Sequence, residues 1–288
     1  MSTPDRYIPG VPCWADSPRS DPAASVEFYS GLFGWDCEDI MPPGSGSRYF
    51  IGRIDGKDAA AIASVPEGAP AGDEWQPIWN TYIWVENADD TAAKAAELGG
   101  RVITEPYDVP GAGRMAVLAD PEGAVFCVWQ AAEHRGAGVV NQHGSVNFND
   151  LNVRDVDGAK AFYGGLFGWD ILDLGGGGRM WILPGYGAHL DVLRPGTTRD
   201  MKDSGAPEGF ENVVATLTEI PADQPDTPAH WGIIFAVDDA DATAATAREL
   251  GGEVLTEPFD APWVRQTVLA DPQGAVFVAS QFAPENAM

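Results

Sequence analysis

With 288 residues, 44% of them hydrophobic, the chain is long enough for two domains that each bury a core. Its net charge of −26, from 17 basic and 43 acidic residues, argues against nucleic acid and anionic membrane surfaces as partners. Three widely spaced cysteines (Cys13, Cys37 and Cys127) with no CxxC pair argue against a disulfide framework or zinc knuckle and for a reducing cytoplasm.

In chain order, residues 1–10 read as a loose arm and Val11 to Asp16 as a short strand. Ser20 or Asp21 can cap a following helix, and Pro22 suits its first position. That helix runs to Phe33 and stops at Gly34, a residue free to adopt the left-handed conformation. Trp35–Ile40, Arg48–Arg53 and Ala59–Val65 read as strands, followed by a Pro/Gly/Glu-rich crossover at 66–77. A second pass gives a strand at Trp79–Val85, an Ala-rich helix at Ala88–Leu98, and strands near 102–104, 115–119 and 124–130. Gly111-Ala-Gly113 and Asp120-Pro-Glu-Gly123 are the turns between them. Each pass is therefore βαβββ, and no apolar run approaches the ~20 residues of a membrane span.

The pattern then returns. Phe28-Tyr-Ser-Gly-Leu-Phe-Gly-Trp-Asp36 recurs 134 residues later as Phe162-Tyr-Gly-Gly-Leu-Phe-Gly-Trp-Asp170. Glu97-Leu-Gly-Gly recurs as Glu249-Leu-Gly-Gly, and Asp120-Pro-Glu-Gly as Asp271-Pro-Gln-Gly. The offset at the second helix is 152, so the second copy carries extra residues, expected in 194–229. The period is that of a tandem domain duplication. The expected organisation is a first domain at 1–133, a linker at 134–144 and a second domain at 145–288.

These paired motifs resemble the vicinal oxygen chelate superfamily of glyoxalases, bleomycin-resistance proteins and extradiol dioxygenases. The resemblance implies an α+β fold of tandem domains, each two βαβββ modules forming a half-open, barrel-like sheet. Pro12-Cys-Trp-Ala-Asp16 and Pro228-Ala-His-Trp231 are similar to segments of two-domain actinobacterial proteins described as hydroxylase-like or antibiotic-associated. Members that are metal enzymes hold the ion with His or Glu at four strand positions. Carried onto this sequence, those positions fall on Trp14, Ala60, Asn80 and Cys127 in the first copy, and on Phe148, His189, Gly232 and Val278 in the second. Neither set suits a metal, so no metal or other cofactor is expected.

Residues two apart on a strand share a face. The same face as those positions then carries Trp14, Asn80, Tyr82, Trp84 and Trp129 in the first copy, with Cys13, Ile83, Val85 and Phe126 beneath the helices. In the second copy Phe148, Asp150, Trp181, His189 and His230 are the candidate ligand-binding residues. Such a lining suits a planar aromatic or polyketide-like molecule, unless the rings simply pack against one another. His189, His230 and Asp191 are the candidates for acid–base work or for an alternative metal set.

The leading expectation is a metal-free ligand-binding protein, for sequestration or as a biosynthetic accessory. The alternatives are a metal-dependent dioxygenase or glyoxalase-like lyase, a metal-free isomerase, cyclase or oxygenase with a histidine base, and a purely structural role. Monomer and homodimer both remain open. Gly175-Gly-Gly-Gly178 lacks the Lys and Ser/Thr of a phosphate loop, and no GxSxG is present. His134 and His143, in the linker, carry no expected role, and Arg114 and Arg265, at matching positions, are read as partners for nearby acids.

Overall fold

Four successive runs of one strand–helix–strands pattern build two sheets in the computed structural model, which describes residues 6–65, 77–175 and 178–286. The first run is β1 (Pro12–Arg19), α1 (Pro22–Phe33), β2 (Asp36–Asp39), β3 (Tyr49–Ile54) and β4 (Lys57–Ser64). The second is β5 (Asn80–Trp84), α2 (Ala88–Glu97), β6 (Arg101–Val109), β7 (Gly113–Ala119) and β8 (Val125–Ala131). The third is β9 (Val146–Val153), α3 (Val156–Phe167), β10 (Asp170–Gly175), β11 (Gly178–Ile182), α4 (Tyr186–Leu193), α5 (Thr197–Asp203) and β12 (Val213–Glu219). The fourth is β13 (His230–Ala236), α6 (Ala240–Glu249), β14 (Glu253–Ala261), β15 (Val264–Ala270) and β16 (Val276–Phe282). Residues 1–5 of the expected arm, the 66–76 crossover and the middle of the four-glycine run lie outside the described residues.

The strand orders are β2-β3-β4-β1-β5-β8-β7-β6 and β10-β11-β12-β9-β13-β16-β15-β14, so each sheet is eight-stranded and neither closes on itself. The copies share register: Asp16 of β1 pairs with Ala61 of β4, and Asp150 of β9 with Thr216 of β12. The extra residues of the second copy begin earlier than expected, just after β11, and overlap the first part of 194–229. They form α4, α5 and a 3-10 turn at Phe210–Asn212, all between β11 and β12. A helical insertion at that hairpin leaves β12 free to pair as β4 does.

Contacts group residues 1–13, 81–136 and 149–231 into one compact unit, and 14–80, 137–148 and 232–288 into a second. Each unit draws on both halves of the sequence. In the second unit, α1 begins on the Asp21 carboxylate, which accepts the Ala24 amide, and stops at Gly34 with φ of 70°. Its Phe28, Tyr29 and Phe33 rings pack with Trp35, Trp79, Phe235 and Phe277. Burying rings of this size stabilises by roughly 2–3 kcal/mol each. The glycine of the repeated motif packs closely: a Cβ on Gly31 would lie 2.9 Å from Leu250 Cδ1, so a larger residue there requires the Leu250 side chain to shift.

The first unit repeats the scheme. Asp155 caps α3, Gly168 ends it with φ of 77°, and Phe162, Tyr163 and Phe167 pack with Phe126, Trp169, Trp181 and Trp231. Gly165 faces Leu98 as Gly31 faces Leu250. Phe126 lies under a helix, as its strand parity predicts, and Ile83 is fully buried. The covering helix of Phe126 is α3, from the other half of the sequence, which strand parity alone does not reveal.

Candidate functional site

On β1, Ala15 belongs to the core beneath α1, so alternation turns Trp14 and Asp16 to the opposite face. There the second unit holds a buried polar chain. The Trp14 indole donates to the Tyr49 hydroxyl at 3.0 Å, and Tyr49 donates to Asp16 Oδ2 at 3.2 Å. Asn80 Nδ2 donates to Asp16 Oδ1 at 2.8 Å. Trp14 and Asp16 are only 5% and 4% exposed, while Tyr49 and Asn80 are half-buried.

The matching strand of the second copy is arranged differently. Leu151 and Val153 are buried on one face of β9, and Asp150 and Asn152 are half-buried on the other. Within the first unit, Asp150 Oδ1 accepts from the Thr216 hydroxyl at 2.6 Å and the Thr218 hydroxyl at 3.1 Å. Oδ2 accepts from Asn152 Nδ2 at 2.8 Å and from Thr218 at 3.2 Å. Phe148, half-buried on the same strand, belongs to the second unit, as do Gly232 and Val278.

The remaining aromatic candidates lie in the first unit and are covered by the chain itself. Tyr7 stacks on Trp84 with centroids 6.0 Å apart, and the Arg135 guanidinium lies over the same ring. Trp129 meets Tyr82 edge to face, donates its N–H to the His134 carbonyl at 3.0 Å, and packs against the His134 ring. Burial also pushes the Tyr7 phenol well above its ordinary pKa. His134, read from sequence as idle linker, is thus part of this cover.

Several expectations need correction. Trp181 is fully buried against Tyr163 and Trp169, in the core beneath α3 and not on a pocket wall. His189 is on α4, not on a strand; its Nε2 lies 3.2 Å from the Arg6 carbonyl and its ring stacks on Tyr186. Asp191, also on α4, accepts from the Thr198 amide and hydroxyl at 3.0 and 2.5 Å, which holds its carboxyl below the usual range. His230 is exposed at the start of β13, with Nδ1 2.9 Å from the Pro228 carbonyl. The insertion explains the misplacement of His189: with β12 in the place of β4, the second strand position falls on Ala61 and Thr216, not on Ala60 and His189. Ala60 itself is buried in the helix-side core.

A divalent ion needs several His, Cys or carboxylate donors and an open position. The strand positions now read Trp14, Ala61, Asn80 and Cys127, and Phe148, Thr216, Gly232 and Val278. Cys127 is buried, Asn80 is engaged by Asp16, and most of the rest have no metal-binding atom. Among the described residues no three His, Cys, Asp or Glu side chains converge, His189, Asp191 and His230 included. The donor set does not fit a metal held in the superfamily's way.

Arg114 and Arg265 pair with acids as expected. Each guanidinium makes a two-pronged contact, to Asp89 and Asp241 respectively, and reaches a second acid, Asp108 or Asp260. Asp16, Tyr49, Asn152, Thr216 and Thr218 escaped the sequence reading. The available signal was that Asp16 and Asp150 stand two residues past Trp14 and Phe148, at the same 134-residue offset as the aromatic motif.

The chain is 39% identical over 287 residues to the protein named "Putative glyoxylase CFP32" of Mycobacterium tuberculosis, covering 99% of this chain and all of that one. It is 36% identical to the anthracycline biosynthesis protein DauV of Streptomyces sp. strain C5, over 94% of this chain and 93% of that one. Among solved structures, 2,2',3-trihydroxybiphenyl 1,2-dioxygenase of Sphingomonas wittichii superposes with a TM-score of 0.58 at 13% identity, over 95% of this chain and 91% of that one, which shows a shared fold. The sequence model of the Glyoxalase/Bleomycin resistance protein/Dioxygenase superfamily matches residues 14–128 and again 144–278. The chain belongs to that superfamily, as a tandem of two of its domains.

Proposed function

We propose that this protein binds a small planar aromatic molecule of polyketide type without a metal, as a biosynthetic accessory or a sequestering protein. The observation that carries the reading is the donor set. At the strand positions where superfamily metal enzymes place His or Glu, the chain has Trp14, Ala61, Asn80 and Cys127 in one copy and Phe148, Thr216, Gly232 and Val278 in the other. Within the first unit, Asp150 supplies a half-buried carboxylate, a polar group suited to orienting a ring system. The similarity to DauV, whose name assigns it to anthracycline biosynthesis, supports a planar polyketide as the ligand class.

Two measurements test this reading together. Protein purified without chelator is analysed for bound metal, and its tryptophan fluorescence is titrated with planar hydroxylated aromatics. Substoichiometric metal with saturable quenching is expected. One divalent ion per chain, or no quenching by any such compound, overturns it.

A further inference from the structure

The two copies share a scaffold, so each is a control for the other. By strand register, Ile51 pairs with Ala61 in the first copy and Met180 with Thr216 in the second. Two residues back along each strand stand Tyr49 and Gly178. The Tyr49 phenol that donates to Asp16 therefore has no counterpart at the equivalent register position, Gly178. The other partner of that phenol has changed too, because Phe148 replaces Trp14 and has no N–H to donate. The aspartate alone is retained.

We propose that Asp150 anchors a phenolic hydroxyl of the ligand, in the seat that the first copy fills with its own Tyr49. This rests on the reading of the chain as an aromatic-binding protein and names the group that is recognised. Four observations support it. The Tyr49 hydroxyl donating to Asp16 Oδ2 is an internal example of a phenol bound by the equivalent carboxylate. The Asp150 carboxylate is held in place by Thr216, Thr218 and Asn152, where the first copy has Ala61, Ala63 and Pro18. A carboxylate offers about four acceptor directions, and one hydroxyl, Thr218, is shared between both oxygens, which leaves capacity for an incoming donor. Finally, Asp150 is half-buried where Asp16 is sealed.

The test uses the full chain and two probes of one shape, 2-hydroxyanthraquinone and 2-methoxyanthraquinone, titrated at mildly acidic pH where the phenol keeps its proton. Asp150→Asn is expected to weaken the hydroxylated probe about tenfold or more and to leave the methoxy probe unchanged, since a hydrogen bond to a charged group is lost. Gly178→Tyr is expected to weaken both probes by refilling the seat. Residue 178 accepts a side chain: a Cβ there meets only Gly175 O at 3.5 Å and Leu174 Cβ at 3.6 Å.

Equal binding of the hydroxylated probe by wild type and Asp150→Asn overturns the assignment and leaves the aromatic-binding reading standing. An equal loss for both probes in Asp150→Asn also overturns it, because the hydroxyl is then not what is read. Failure of wild type to bind either probe overturns both. Should Asp150→Asn not fold, Gly178→Tyr carries the test, and undiminished binding by that variant overturns the proposal.

Discussion

Arg19→Val is the substitution for which the duplicated fold makes the sharpest forecast. In the second unit the Arg19 guanidinium is wholly buried with the Asp271 carboxylate, Nε and Nη2 lying 3.1 and 3.0 Å from Oδ2. Tyr29 donates to the same oxygen at 3.1 Å, the Gln273 and Ala275 amides bind Oδ1, and the guanidinium lies 5.8 Å from the Trp79 ring. At the equivalent register position the first unit has Val153, and its aspartate, Asp120, lives with Tyr163 and three backbone amides alone. Burial pushes the Asp120 carboxyl up, whatever the amides offset. Arg19→Val thus imposes on Asp271 the condition of Asp120. Removing one partner of a buried pair costs about 3–5 kcal/mol when the other charge stays. The variant keeps a buried carboxylate whose cation is gone, so a deficit of about 3–5 kcal/mol relative to wild type is expected near neutral pH. Urea unfolding of both proteins at neutral pH checks it, and a deficit under about 1 kcal/mol would refute the reasoning.

Four other outcomes follow from the same geometry. Asp271→Asn leaves Arg19 buried without its counter-charge and is expected to cost about 3–5 kcal/mol in chemical unfolding, whereas Asp120→Asn, with no buried cation opposite, is expected to cost under about half of that. Because the Asp120 carboxyl is raised, Asp120→Asn should also flatten the loss of stability that wild type shows as pH rises above the ordinary carboxylate range. Gly31→Ala places a methyl 2.9 Å from Leu250 Cδ1 and is expected to destabilise by roughly 1–3 kcal/mol, with partial recovery in the double variant with Leu250→Ala, read by thermal melting. Alanine at half-buried His189 or exposed His230, whose ring nitrogens are bonded only to backbone carbonyls among the described contacts, is expected to leave fluorescence-monitored ligand affinity unchanged.

Local features were legible because they are written in adjacent residues. The Asp21 cap, Pro22 at the first helical position and the Gly34 stop each depend on backbone chemistry within four residues. Strand parity likewise sorted Phe126 from Cys127. What failed was long-range register. His189 looked like a strand residue because the length difference between the copies was assigned to 194–229, and no local signal marks α4 as an insertion between paired strands. Trp181 failed for a related reason: the direction of its side chain depends on where β11 meets β12, and the register shifts between Trp181 and Ile182. Compact units assembled from separate quarters of the chain are equally invisible, because apolar helix faces do not name the helix they will meet.

The duplication also shows which constraints act on the scaffold and which on the seats. Gly31 and Gly165, Tyr29 and Tyr163, Asp271 and Asp120 serve the same packing in the two units, and a change at any of them meets a neighbour within contact distance. Trp14 and Phe148, Tyr49 and Gly178, Ala61 and Thr216 differ although the strands that carry them pair identically. Packing cannot demand that difference, since both versions fit the same register. In one copy the aspartate accepts from Tyr49 and Asn80, and in the other it accepts from Thr216, Thr218 and Asn152. If Asp150 served stability alone, exchanging Thr216 and Thr218 for the alanines of the first copy would cost the fold about 1–2 kcal/mol and leave ligand affinity untouched. A fall in affinity larger than the fall in stability is the result expected of a seat kept for a ligand.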